Sequence, residues 1–190
     1  MLINVASSYL TAGRDGGRFG NGHPSIVPYT TYRAADGMMA LAIGTERPFA
    51  RTAEVLGHPE WAKDERFTTN RARVENRAAI DGLINDALAR DHADVWLGKL
   101  KAVGVPCGKI NSVAEALDDP HTGARDMIAT AEHASIGALK MLGIPFKFSD
   151  TACSVRRPPP TLGQHSDEIL AGELGLDEKS IAELRRDRVV

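Results

Sequence analysis

Gly20–Gly44, GNGHPSIVPYTTYRAADGMMALAIG, decides how this chain folds. Tyr29–Arg33 (YTTYR) is β-branched and aromatic, a composition that suits a pleated, half-buried surface. Ala35-Asp36-Gly37 supplies turn chemistry, with the glycine expected at the positive φ of a tight hairpin. Met38–Ile43 follows as a short apolar strand that needs burial on at least one side, and Gly44 ends it. Pro48 then opens a helical pattern. A strand, a turn, a second strand, a glycine and a helix can set a flexible loop beside a ligand. They also make an ordinary hairpin.

Downstream, Pro48–Leu56 reads as a short helix stopped by Gly57. His58–Phe67 is a polar connection carrying two aromatic anchors. One long helix is expected from about Asn70 to Arg90, with Ile80, Leu83, Ile84, Ala87 and Leu88 on its core face. Asp91 and Asp94 read as the cap and capping-box acid of the next helix, in which Trp96, Leu100 and Val103 recur at helical spacing before Gly104. The two helices form a helical hairpin. Val105–Asn111 is extended, Asp119-Pro120 begins another short helix, and the glycines and proline within Ile128–Phe148 break it into strands. Arg156–Pro160 (RRPPP) is an extended connector, and two small helices close the chain, one from Ser166 and one after Asp177. Upstream, residues 1–12 read as a helix with no capping residue before it, like the tail of a helix from a longer chain, and Gly13–Gly22 as a loop. The pattern predicts an α+β fold: residues 1–22 as helix end and linker, 23–150 as a small mixed domain with an antiparallel sheet and helical hairpin, and 151–190 as connector and terminal helices.

Composition narrows the chemistry. The 190 residues are 43% hydrophobic and 25% charged with a net charge of −2, so neither a nucleic-acid partner nor a phosphate-backbone footprint is implied. No apolar run approaches the roughly 20 residues that span a bilayer, and Met1–Leu10 lacks the basic start of a signal peptide, so no membrane partner is expected. Cys107 and Cys153 form no motif, which points to reduced thiols in the cytoplasm. The six histidines are scattered, and no metal site is expected. Arg14 and Arg18 sit in the glycine-rich loop, but no helix start follows to aim amides at an anion, so a linker is the simpler reading. Cys107, between Pro106 and Gly108, has no neighbouring base to activate it. The loop Gly44-Thr45-Glu46-Arg47 is the best local candidate, with a carboxylate beside a helix start, although that acid also complements the helix dipole without any function.

The ordered strings GNGHPSIVPY, YRAADG, EVLGHPEWAKDERFTTNRARVENR, AVGVPCGKIN, DDPHTGARDM and RRPPPTLGQHSDEIL resemble the family III CoA transferases, which include formyl-CoA and carnitine-type transferases and the α-methylacyl-CoA racemases. The resemblance covers essentially the whole chain. It implies that a Rossmann-like large domain, which carries the CoA-binding surface and the aspartate that attacks the acyl-CoA thioester, lies outside this sequence. The final tail would return to that domain, and family members are interlocked homodimers. On this reading the chain supplies a lid, an acyl-pocket wall and a dimer interface to an acyl-CoA:carboxylate CoA-transferase and is inactive alone. Its substrates would be a coenzyme A thioester and a carboxylic acid, with no covalently bound cofactor. Gly44, Thr45 and Arg47 would belong to the substrate lid, and Glu46 would be a base candidate near the position of the racemases' glutamate, one residue short in spacing. The alternatives are a racemase fragment and a non-catalytic interaction module.

Overall fold

The computed structural model describes residues 3–190 and divides into two compact units, one ending at Ile110 and the other Asn111–Val190. In the first, β1 (Tyr29–Arg33) and β2 (Met38–Ala42) pair antiparallel, and β3 (Cys107–Lys109) joins the far edge of β2, so β2 is central. The register sets Tyr32 opposite Met39, and both side chains are buried, a cross-strand pair that fixes which face is the core. The hairpin connection is wider than the sequence suggests. Ala34 donates its N–H to the Gly37 carbonyl at 2.8 Å, and Gly37 stays out of the left-handed region. Four residues separate the strands, so a two-residue primed turn is not needed.

Helices cover this sheet. After α1 (Ile3–Ala12) and an irregular segment, α2 spans Glu46–Val55, two residues earlier than Pro48 suggests, and places Pro48 in its first turn. Gly57 adopts φ +83° just past its end, the left-handed stop glycine favours. A 3₁₀ turn, Pro59–Lys63, buries Trp61. The single helix expected from Asn70 is two helices, α3 (Asn70–Glu75) and α4 (Arg77–Leu88), parted at Asn76. The Asn76 side chain donates to the Ala72 carbonyl at 3.0 Å, a local bond that competes with helix continuation. α4 buries Ile80, Ile84, Ala87 and Leu88, four of the five residues of the expected stripe. It is fastened to β1 by Tyr32 Oη donating to Asp81 at 2.6 Å and by Arg33 N–H to Asn85 at 2.9 Å.

The cap of α5 (Ala93–Ala102) also differs from the sequence reading. Asp91 does not reach its free amides; the hairpin acid Asp36 accepts the Ala93 N–H at 2.7 Å and lies 3.2 Å from His92 Nδ1. These bonds, the Ala93 N–H above all, hold the Asp36 carboxyl below its usual range. Trp96 Nε1 donates to the Leu88 carbonyl at 2.9 Å and so joins α5 to the end of α4. A continuous apolar core runs from Val27 to Val105, with Phe49, Phe67, Leu88 and Leu100 among its large members.

The second unit is built from short local pieces. Ser112 and Glu115 form a reciprocal capping box on α6 (Val113–Asp118). Asp119 caps α7 (Pro120–Ala124) through the His121 N–H, as the Asp-Pro pair predicts. β4 (Ile128–His133) and β5 (Gly137–Leu142) pair antiparallel around Gly137 at φ +71°. After an irregular proline-rich connector come α8 (Ser166–Gly172) and α9 (Glu178–Arg186), the latter capped by Asp177. Together the two units are the expected α+β architecture. Among the described residues no helix is long and apolar enough to cross a membrane.

Candidate functional site

Gly44 and Thr45 form an exposed turn where β2 runs into α2. Glu46 and Arg47 are not loop residues; they are the first two residues of α2, and both are exposed. The Glu46 carboxylate turns toward α3 and accepts the Asn70 N–H at 3.1 Å. Asn70 is the first residue of α3, so Glu46 satisfies an amide that has no partner within that helix. Its own backbone N–H and that of Asn70 hold the Glu46 carboxyl below its ordinary range, with Arg73 adding to the effect.

Arg73 is the residue sequence reasoning missed. Its side chain is fully buried, donating from Nε to the Val27 carbonyl at 2.7 Å and from Nη1 to the Phe67 carbonyl at 2.8 Å. The guanidinium lies 4.4 Å from the centre of the Phe49 ring. Nη2 makes no hydrogen bond, and Glu46 Oε1 stands 4.0 Å from it. Asn70, one turn earlier on α3, donates to the Ser25 carbonyl and accepts the Val27 N–H at 3.0 Å. Arg77 continues the row by donating to the His23 and Pro24 carbonyls. The only sequence signal was a polar residue recurring every three or four positions in NRARVENR, a spacing that marks one helix face.

Asn70 and Ser25 also line a cavity of about 750 Å³, together with Val5, Arg14, Phe19 and Arg71. Its charges are mixed: Asp15 and Glu75 accompany the two arginines, and Arg71 is paired with Glu75 at 2.9 Å. Such a lining does not select an anion. Cys107 lies half-buried in β3, and burial pushes its thiol pKa up, against a nucleophile's need for a thiolate. Among the described residues no three His, Cys, Asp or Glu side chains converge as a metal site. Arg157 and His165, far from this turn in sequence, meet on Glu168, which accepts two bonds from Arg157 at 2.9 and 2.8 Å and lies 3.2 Å from His165.

Residues 1–166 match CoA-transferase family III. The chain belongs to that family. Over its full length it is 31% identical to the human succinyl-CoA:glutarate CoA-transferase, covering 43% of that protein. Over its full length it is also 34% identical to the succinyl-CoA–D-citramalate CoA-transferase of Chloroflexus aurantiacus, covering 48%. The crystal structure of a CAIB/BAIF family protein from Brucella suis superposes with a TM-score of 0.74 at 38% identity, over 90% of this chain and 44% of that one. The chain thus spans less than half the length of the family members it matches.

Proposed function

We propose that this chain is the supporting part of an acyl-CoA:carboxylate CoA-transferase, providing the lid, a wall of the acyl pocket and the dimer interface. The full-length match to CoA-transferases that are more than twice as long carries this reading. The complete enzyme works by covalent catalysis. A carboxylate on the large domain would attack the donor's thioester carbonyl, and the CoA thiolate leaves to give an acyl anhydride. Thiolate attack on the enzyme-side carbonyl then releases the donor as its carboxylate and leaves an enzyme–CoA thioester. The acceptor carboxylate attacks that thioester and expels the thiolate, which attacks the acceptor's carbonyl in the new anhydride, giving the product thioester and freeing the enzyme carboxylate. A dicarboxylate acceptor is the reading nearest to the matched enzymes, whose names pair succinyl-CoA with glutarate or citramalate.

The Gly44–Thr45 turn serves as the lid over the acyl group, and Arg47 in the first turn of α2 borders it. Glu46 supports this reading better than the racemase alternative. Its carboxylate is occupied by the Asn70 N–H and held at low pKa, which weakens it as a base for removing an α-proton. The exposed Leu142, Phe146, Phe148 and Leu174 of the second unit supply apolar surface for a homodimer or the large domain. A cytoplasmic location accords with two free cysteines.

Incubating the purified chain with succinyl-CoA and glutarate tests the proposal. No transfer is expected from the chain alone, and transfer is expected when a polypeptide carrying the family's large domain is supplied with it. Turnover by the chain unaided overturns the supporting role.

A further inference from the structure

One face of α3 reaches the downstream flank of the Gly44–Thr45 turn directly and its upstream flank through the Val27-Pro28 segment. On the upstream side Ile43 donates its N–H to the Pro28 carbonyl at 2.9 Å. The neighbouring Val27 is held from both directions: its N–H goes to Asn70 Oδ1 at 3.0 Å, and its carbonyl accepts Arg73 Nε at 2.7 Å. On the downstream side Glu46 accepts the Asn70 N–H at 3.1 Å, with Arg73 Nη2 4.0 Å away. The same two residues, three apart on one helix, therefore bond Val27, next to the Pro28 that pairs with Ile43, and face Glu46 just after the turn.

Arg73 is costly for a purely structural tie. A buried guanidinium needs a counter-charge and partners for its N–H groups, and Nη2 has no hydrogen-bond partner. Glu46 is the carboxylate placed to answer it. The turn itself imposes no steric need for glycine: Gly44 is outside the left-handed region, and a Cβ there would meet nothing within 4 Å. The fold thus constrains the ends of the turn tightly and leaves its middle open.

We propose that Asn70 and Arg73 are positioning residues for the Gly44–Thr45 turn, acting through Val27 on one side and Glu46 on the other. Arg73 Nη2 sets where the Glu46 carboxylate can sit, and Glu46 sets where α2 begins. The consequence for chemistry rests on the CoA-transfer reading above; the consequence for the turn does not.

Two arms separate these. In the first, the amide shifts of Gly44 and Thr45 and the hydrogen exchange of the bonded Ile43 amide are measured by NMR in the 190-residue chain. Glu46→Ala, at an exposed position, and Arg73→Lys should move the Gly44 and Thr45 amide shifts and speed Ile43 exchange about tenfold, with Glu46→Gln partly restoring them because it still accepts the Asn70 N–H. Gly44 and Thr45 amides unchanged in a folded Glu46→Ala chain overturn the proposal, even if Arg73→Lys fails to fold. In the second, the chain is assayed for succinyl-CoA:glutarate transfer with the large domain supplied. Glu46→Ala should lower kcat about tenfold with little change in KM for succinyl-CoA, the mark of a lost geometry in the reacting complex. A fall only in the active fraction, with kcat per active site unchanged, overturns the positioning role. Absence of transfer by the unaltered pair defeats the functional reading alone, since the NMR arm still decides the turn.

Discussion

The two units obey opposite economies. The first gathers twenty buried apolar residues into one core, whereas in the second Ile181 is the sole buried hydrophobic side chain among the described residues. The secondary structure of the second unit is nonetheless well formed, because its caps and hairpin are local: Ser112 with Glu115, Asp119 with His121, Asp177 with Ser180, and β4 with β5. Local bonds specify helices and turns, but burial of apolar area is what stabilises a fold against chain entropy. A well-capped unit without a core is therefore a sign of surface meant for another body, and Leu142, Phe146 and Leu174 are exposed at 65–71%.

The sharpest test deletes a large side chain from each unit. Phe67 has no exposed surface, and Phe67→Ala should cost about 3–5 kcal/mol of stability in urea unfolding. Leu142→Ala, at 71% exposure, should change it by no more than about 0.5 kcal/mol. Equal losses from the two would break the contrast. Backbone hydrogen exchange extends the test: amides of β2 and α4 should exchange only on global unfolding, and those of β4, β5 and α8 through local opening.

Next in size is Tyr32, whose hydroxyl donates to Asp81 at 2.6 Å beneath α4. Burial first, then that bond, push its pKa well above the ordinary value. The folded state holds the proton more tightly than the unfolded chain does. Stability is thus intact below pH about 10 and declines above it, as the unfolded state ionises first. Tyr32→Phe should cost about 1–2 kcal/mol at neutral pH and should remove part of the alkaline decline. A chain whose stability falls equally steeply above pH 10 without the hydroxyl would show that another group controls it.

What could be read from the sequence follows the same division. Strands β1 and β2, the Ile80–Leu88 stripe, the Asp119 and Asp177 caps and the Gly57 and Gly104 stops were legible because each depends on residues close in sequence. The break at Asn76 was hidden, since the flanking pattern is continuous and only a side-chain bond to Ala72 interrupts it. Asp36 as the cap of α5 could not be read at all: 57 residues separate it from Ala93, and Asp91 offered a nearer carboxylate. The candidate site shows the same limit. Gly44–Arg47 stood out by composition, but the α3 residue whose N–H the Glu46 carboxylate accepts lies 24 residues away in sequence.

The smallest expected effect probes the coreless unit from within. Glu168 joins Arg157 of the connector to α8, with His165 against the same carboxylate. Arg157 holds the Glu168 carboxyl below its ordinary value, so its stabilising contribution is complete above the unfolded pKa of about 4.3 and is lost as pH falls through the lower folded value. Between pH 7 and 5 this contact should not change. Glu168→Gln at pH 7 removes the charge that acid would neutralise, and the exposed pair is screened by solvent, so the main urea transition should not move. What should change is local: faster exchange of the α8 amides near His165 and Ile169, read by NMR. If the substitution instead shifts the main transition, the second unit shares the first unit's cooperativity, and exposed apolar residues would no longer be a reason to look for a partner surface.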